Sequence, residues 1–70
     1  MNNYKTINEI ISSGRPYHKA VIHKSLKQVI DTGLVMWCVN NVSCGWTILC
    51  YNEFLFEDGQ EATNFVLKFS

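Results

Sequence analysis

Apolar positions recur along this chain at two different spacings, and the change of spacing divides it into elements. Ile7, Ile10 and Ile11 share one face of a helical repeat. Ahead of them Thr6-Ile7-Asn8-Glu9 has a hydroxyl followed three residues later by a carboxylate, the spacing of a capping box. The pattern predicts a short helix starting at Thr6 and stopped by Ser12-Ser13-Gly14, because glycine accepts the left-handed conformation found after helices. Pro16 suits a first helical position, and Ala20, Ile22, Leu26, Val29 and Ile30 then approximate a second helical stripe. Arg15, Lys19, His23 and Lys27 are spaced by four beside it. The spacing predicts one basic helix ending at Gly33. A second parse stays open: Ser25-Leu26-Lys27-Gln28 is also a capping-box match, which would leave residues 19–23 as a strand and start the helix at Ser25.

Beyond Gly33 the pattern changes. Residues 34–40, 46–51 and 53–57 are rich in β-forming side chains, with turns expected at 40–45 and at Asn52-Glu53. Asp58-Gly59-Gln60-Glu61 offers another N-cap, and Ala62, Phe65, Val66 and Phe69 repeat at helical spacing after it. The expected fold class is α+β, in the order α-α-β-β-β-α, with a small three-stranded antiparallel sheet. Residues 1–70 form one domain: a helical part at 6–33, a β-meander at 34–57 and a C-terminal helix at 58–69.

Two of the expected strands are apolar on both sides. Leu34, Met36 and Cys38 alternate with Val35, Trp37 and Val39, and Trp46, Ile48 and Cys50 alternate with Thr47, Leu49 and Tyr51. A half-buried strand alternates apolar with polar, so this sheet needs a cover on each face. Apolar surface left over would serve a partner, and a homodimer or a hydrophobic docking site is expected.

Composition sharpens this in a few places. A chain of 70 residues has room for one domain, and its 47% hydrophobic and 17% charged content is that of a folded chain. No apolar run approaches the roughly 18 residues of a membrane span, and the polar start MNNYKTINE lacks the apolar core of a signal peptide. The expected location is the cytoplasm of a bacterial or phage-infected host cell, with no membrane partner. The net charge of zero hides an asymmetry. Residues 1–32 carry Lys5, Arg15, Lys19, Lys24 and Lys27 against Glu9 and Asp31, a net +3, while residues 33–70 carry Lys68 against Glu53, Glu57, Asp58 and Glu61, a net −3. One half suits a polyanion and the other avoids it.

The chemistry-bearing residues form no catalytic or metal pattern. Cys38, Cys44 and Cys50 are an odd number at spacing C-x5-C-x5-C, which fits neither a disulfide scaffold nor a zinc ribbon. His18 and His23 lie five apart, off the four-residue spacing that stacks two ligands on one helix face. No phosphate-binding loop, nucleophile elbow or zinc-protease motif occurs. The chain is expected to be non-enzymatic, without cofactor or metal.

The stretch TINEIISSGRPYHKAVIHKSLKQVIDTGLVMW resembles the front of a winged-helix DNA-binding domain. TINEII is similar to the first helix of a helix-turn-helix, SSGRPY to its turn, and HKAVIHKSLKQVID to a recognition helix. MWCVNNVSCGWTILCY would then be the wing, so the resemblance covers residues 6–51. It implies DNA as the partner, read by Arg15, Tyr17, His18, Lys19, His23, Lys24 and Lys27. The chain departs from that family in having no helix before Thr6 and no Lys or Arg at the wing tip. The alternative is a class analogy. A short, aromatic-rich single domain without catalytic motifs is similar to small phage-encoded inhibitors of bacterial defence, anti-CRISPR proteins among them. That reading implies a protein target, held through Trp37, Trp46, Tyr51, Phe54 and Phe56, because aromatic side chains dominate interface hot spots.

Overall fold

The computed structural model describes residues 2–23 and 29–69. Thr6 caps the first helix, α1 (Ile7–Ser12), as its sequence predicts: the Glu9 amide donates to Thr6 Oγ1 at 3.2 Å and the Thr6 amide to Glu9 Oε1 at 2.9 Å. Gly14, at φ +76°, turns the chain away after it in the left-handed region that glycine tolerates.

The expected basic helix from Pro16 is corrected here: residues 18–21 form an edge strand, β1 (His18–Val21). Pro16 disfavours helical backbone at Arg15, and Tyr17, Val21 and Ile22 bring β preference. The alternation settles the choice, with Ala20 and Ile22 buried while Lys19 is exposed. Of the alternative strand at residues 19–23 the fold realises residues 19–21, and His23 lies in the turn that follows. The helix start at Ser25, together with Lys24 and Lys27, lies outside the described residues.

The expected strand at 34–40 is corrected as well. These residues belong to α2 (Thr32–Asn41), capped by Asp31, whose carboxylate accepts from the Gly33 amide at 2.8 Å. Gly33 therefore sits at the start of a helix and not at the end of one. Leu34, Cys38 and Val42 are buried at a spacing of four, while Met36 stays exposed. A short run apolar on every side has no period of its own, so its conformation follows from packing.

β2 (Trp46–Cys50), β3 (Glu53–Phe56) and α3 (Gly59–Phe69) fall where the pattern predicts. The molecule is an α+β domain of three helices and an open three-stranded antiparallel sheet, with the second and third elements exchanged in type: α1-β1-α2-β2-β3-α3. The sheet is not a meander. Its order is β1-β3-β2, so the last strand lies in the middle. His18 pairs with Phe56 and Ala20 with Phe54 on one side; Trp46 pairs with Phe56 and Ile48 with Phe54 on the other. Leu49 is accommodated where the register shifts between Ile48 and Cys50.

This register collects Ala20, Trp46, Phe54 and Phe56 on one face, where they meet Leu34 and Cys38 of α2 and Phe65 of α3 in a single cluster. Thr47 and Leu55 point to the opposite face and are buried too, with α1 packed against β2 and burying Ile10. The Trp46 indole N–H and the Thr47 hydroxyl are buried with no hydrogen-bond partner among the described residues. Tyr4 forms a parallel bridge to Trp46, so residues 3–5 occupy part of the outer side of β2, and its ring meets the indole edge-on at 5.2 Å. Among the described residues no helix is long and apolar enough to cross a membrane.

Candidate functional site

One edge of the sheet, the outer side of β1, is open along its whole length among the described residues. No strand among the described residues pairs with the outer side of β1. The Ile22 amide donates to the Asn52 carbonyl at 2.8 Å. Hydrogen-bonded pairs alternate along an antiparallel ladder, so His18 and Ala20 turn their backbone groups toward β3. Lys19 and Val21 turn theirs outward. Each offers one N–H and one C=O, the pattern that a further strand would complete.

Beside this edge α3 runs along the sheet and leaves a groove of about 350 Å³, lined by His18, Lys19, Ala62, Thr63, Val66 and Leu67. Its floor is apolar, and Leu67 is 72% exposed at the rim. The His18 ring lies over the start of α3 so closely that a side chain at Gly59 would come within 3.2 Å of it. Lys19 leans to the opposite face and forms a 3.7 Å ion pair with Glu53, long and largely solvated. Such pairs contribute about 0–1 kcal/mol.

Of the residues expected to read DNA, the described ones, Arg15, Tyr17, His18, Lys19 and His23, do not lie on one helical face. Arg15 and Tyr17 are exposed on the loop before β1, His18 and Lys19 point to opposite sides of the sheet, and His23 is exposed at the turn after the strand. The expected aromatic anchors are corrected more sharply. Trp46, Phe54 and Phe56 are buried in the core and so are not available to a partner. Trp37, on α2 instead of a strand, is half-buried against Phe65 and Phe69 at 5.9 and 5.8 Å, and Tyr51 is half-buried in the β2–β3 turn. Ala62, Thr63, Val66 and Leu67 line the groove without a contact signal of their own in the sequence. The helical stripe marks Ala62 and Val66 as core, and only the sheet order brings this flank of α3 beside β1.

A second cleft, of about 680 Å³, opens at the N-terminal arm among Tyr4, Lys5, Glu9, Arg15, Cys44 and Glu57. Its two carboxylates are engaged in structure. Glu57 accepts from Lys5 Nζ at 3.2 Å and from the Gly45 amide at 3.1 Å. Glu9 is held below its ordinary range by its hydrogen bonds to the Thr6 amide and hydroxyl. Burial pushes the Cys44 thiol up, so it stays protonated at neutral pH and is a weak nucleophile.

Cys38 gives a prediction. All three cysteines are free, and burial pushes the Cys38 thiol from 9.0 up to about 12. The folded state thus holds the thiol proton more tightly than the unfolded chain does. The associated stability is whole below pH 9 and is lost as the pH rises toward 12. Urea midpoints measured from pH 8 to 11 should fall more steeply for the wild type than for Cys38→Ala. Parallel slopes would refute this.

The chain matches no protein-family model, and searches of the curated proteins and of the solved structures found no match either.

Proposed function

We propose that this chain is a non-enzymatic regulatory binding protein that acts by protein–protein contact. One observation carries the reading: the open β1 edge, with the outward backbone groups of Lys19 and Val21, runs alongside the apolar groove of α3. Unpaired edges are sites where other chains add, and natural proteins usually cover or blunt them. The exposed Leu67 at the groove rim adds apolar surface that water covers poorly. This is the binding mode open to an inhibitor or adaptor of the phage-accessory kind, whose effect comes from occupying a target.

DNA binding is the second reading, favoured by the run of positive charge between Glu9 and Asp31. Without a recognition helix at residues 18–21, it would rest on phosphate contacts and weaken steeply with salt.

The test places a photo-crosslinking residue at position 19 and, as a control, at exposed Asn64, in the cells that make the protein. A discrete protein adduct from position 19 and none from position 64 is expected. Light scattering with random-sequence duplex DNA is run beside it. A mass gain at low salt that disappears at physiological salt, with no adduct from position 19, would replace the protein-contact reading by the DNA reading.

A further inference from the structure

We propose that the β1 edge takes up an extended, acidic segment of a partner protein as a fourth strand of the sheet. The inference rests on the protein-contact reading and names its ligand. The geometry is that of strand addition. Lys19 and Val21 supply two N–H donors and two C=O acceptors on the outer side of β1, spaced as one antiparallel or parallel partner strand requires. Alternate side chains of that strand point to the two faces of the sheet. One set enters the groove against Ala62, Val66 and Leu67. The other set lies on the opposite face beside Lys19.

Charge selects among possible occupants. No Asp or Glu occurs between Glu9 and Asp31, whereas the positive charges of Arg15 and Lys19 flank the open edge or lie in it. The nearest carboxylate on the Lys19 face is Glu53, held by Lys19 only at 3.7 Å, so the ammonium can turn to an incoming acid at little cost. A second copy of this chain, adding β1 to β1, would bring two such acid-free cationic segments together. A nucleic acid matches the charge but has no alternating amide and carbonyl groups for the edge. An acidic peptide in extended form matches both.

Three probes decide this: fluorescently labelled Glu-Val-Glu-Val-Glu-Val-Glu, its lysine counterpart Lys-Val-Lys-Val-Lys-Val-Lys, and a random-sequence DNA strand. Their anisotropy is followed on the full chain, and Lys19 and Val21 amide exchange is read with and without peptide. The acidic peptide should bind at least about tenfold more tightly than the lysine peptide, a difference of ~1.4 kcal/mol. It should also slow exchange of both outward amides. Lys19→Pro removes an outward donor that β3 does not use, and should weaken binding about tenfold or more. Lys19→Glu keeps the donor and should weaken the acidic peptide alone. The amide readout needs no variant, so it still decides if Lys19→Pro fails to fold. Equal binding of the two peptides would overturn the acidic ligand, and a position-19 adduct would still leave the protein-contact reading standing. Unchanged exchange at Lys19 and Val21 would overturn the strand addition. Binding of the DNA strand alone, with no adduct, would overturn both.

Discussion

Replacing Phe65 by alanine should come close to unfolding the protein, with an expected loss of roughly 3–5 kcal/mol. Phe65 is fully buried, and its ring is surrounded by four others: Phe54 at 4.8 Å, Phe56 at 5.2 Å, Phe69 at 5.3 Å and Trp37 at 5.9 Å. These rings come from β3, from α2 and from α3 itself, so this one side chain joins the sheet to both helices that cover its core face. The cavity left by alanine would be lined by aromatic rings, which relax poorly into a void. A domain of this size has a total stability of only about 0.05–0.15 kcal/mol per residue, so the loss is a large share of the whole. Urea unfolding followed by tryptophan fluorescence measures it, because Trp37 reports the contact directly. Phe65→Leu fills most of the space and should cost far less. A loss under about 1 kcal/mol for the alanine variant would mean that α3 is not anchored through this ring.

Much of this architecture is legible locally, and the exceptions share a cause. α1 carries its own start and stop signals in Thr6, Glu9 and Gly14, and the structure uses all of them. β2 and β3 are bounded by turn residues, and α3 has a clean stripe with Phe65 at its centre. At Asp58 the cap differs in detail: Asp58 accepts from the Gln60 amide, while Glu61 reaches across to the Ser43 amide and hydroxyl instead of back to its own cap. The two segments that depart from the expected elements are those whose local signals compete. Residues 18–21 fit a helical stripe through Ala20 and also a strand through Ala20 and Ile22. β3, placed centrally by the distant hairpin, supplies the ladder that decides. Residues 34–39 are apolar on all sides, and Asp31-Thr32-Gly33 reads equally as a helix end or as an N-cap. The candidate site inherits that ambiguity. Lys19 and His18 are visible as polar candidates in the sequence, but their place on an open edge follows from a strand order that no local pattern encodes.

The second large effect is expected at Gly45, where the need for glycine is steric. Its φ is not in the left-handed region, so backbone freedom is not the reason. The Glu57 carboxylate occupies the space a methyl group would take, and Lys5 Cδ lies 3.0 Å from the same point. That carboxylate cannot easily move. It accepts from the Gly45 amide at 3.1 Å and from Lys5 Nζ at 3.2 and 3.3 Å, and its side chain is only 11% exposed. Gly45→Ala should therefore cost about 1–3 kcal/mol, the usual range for forcing a methyl group into a packed site. The double variant Gly45→Ala/Glu57→Ala tests the cause. With the carboxylate gone the methyl has room, so the double loss should fall short of the sum by at least about 0.5 kcal/mol. Strict additivity in urea unfolding would mean that the collision is relieved elsewhere. The consequence reaches past stability, because Lys5 belongs to the arm that lies along β2: its amide donates to the Trp46 carbonyl at 2.9 Å, and Glu57 anchors its side chain. Freeing the arm would bare a second sheet edge. Gly45→Ala alone should then self-associate on concentration, and restoring the arm's anchorage should reverse it.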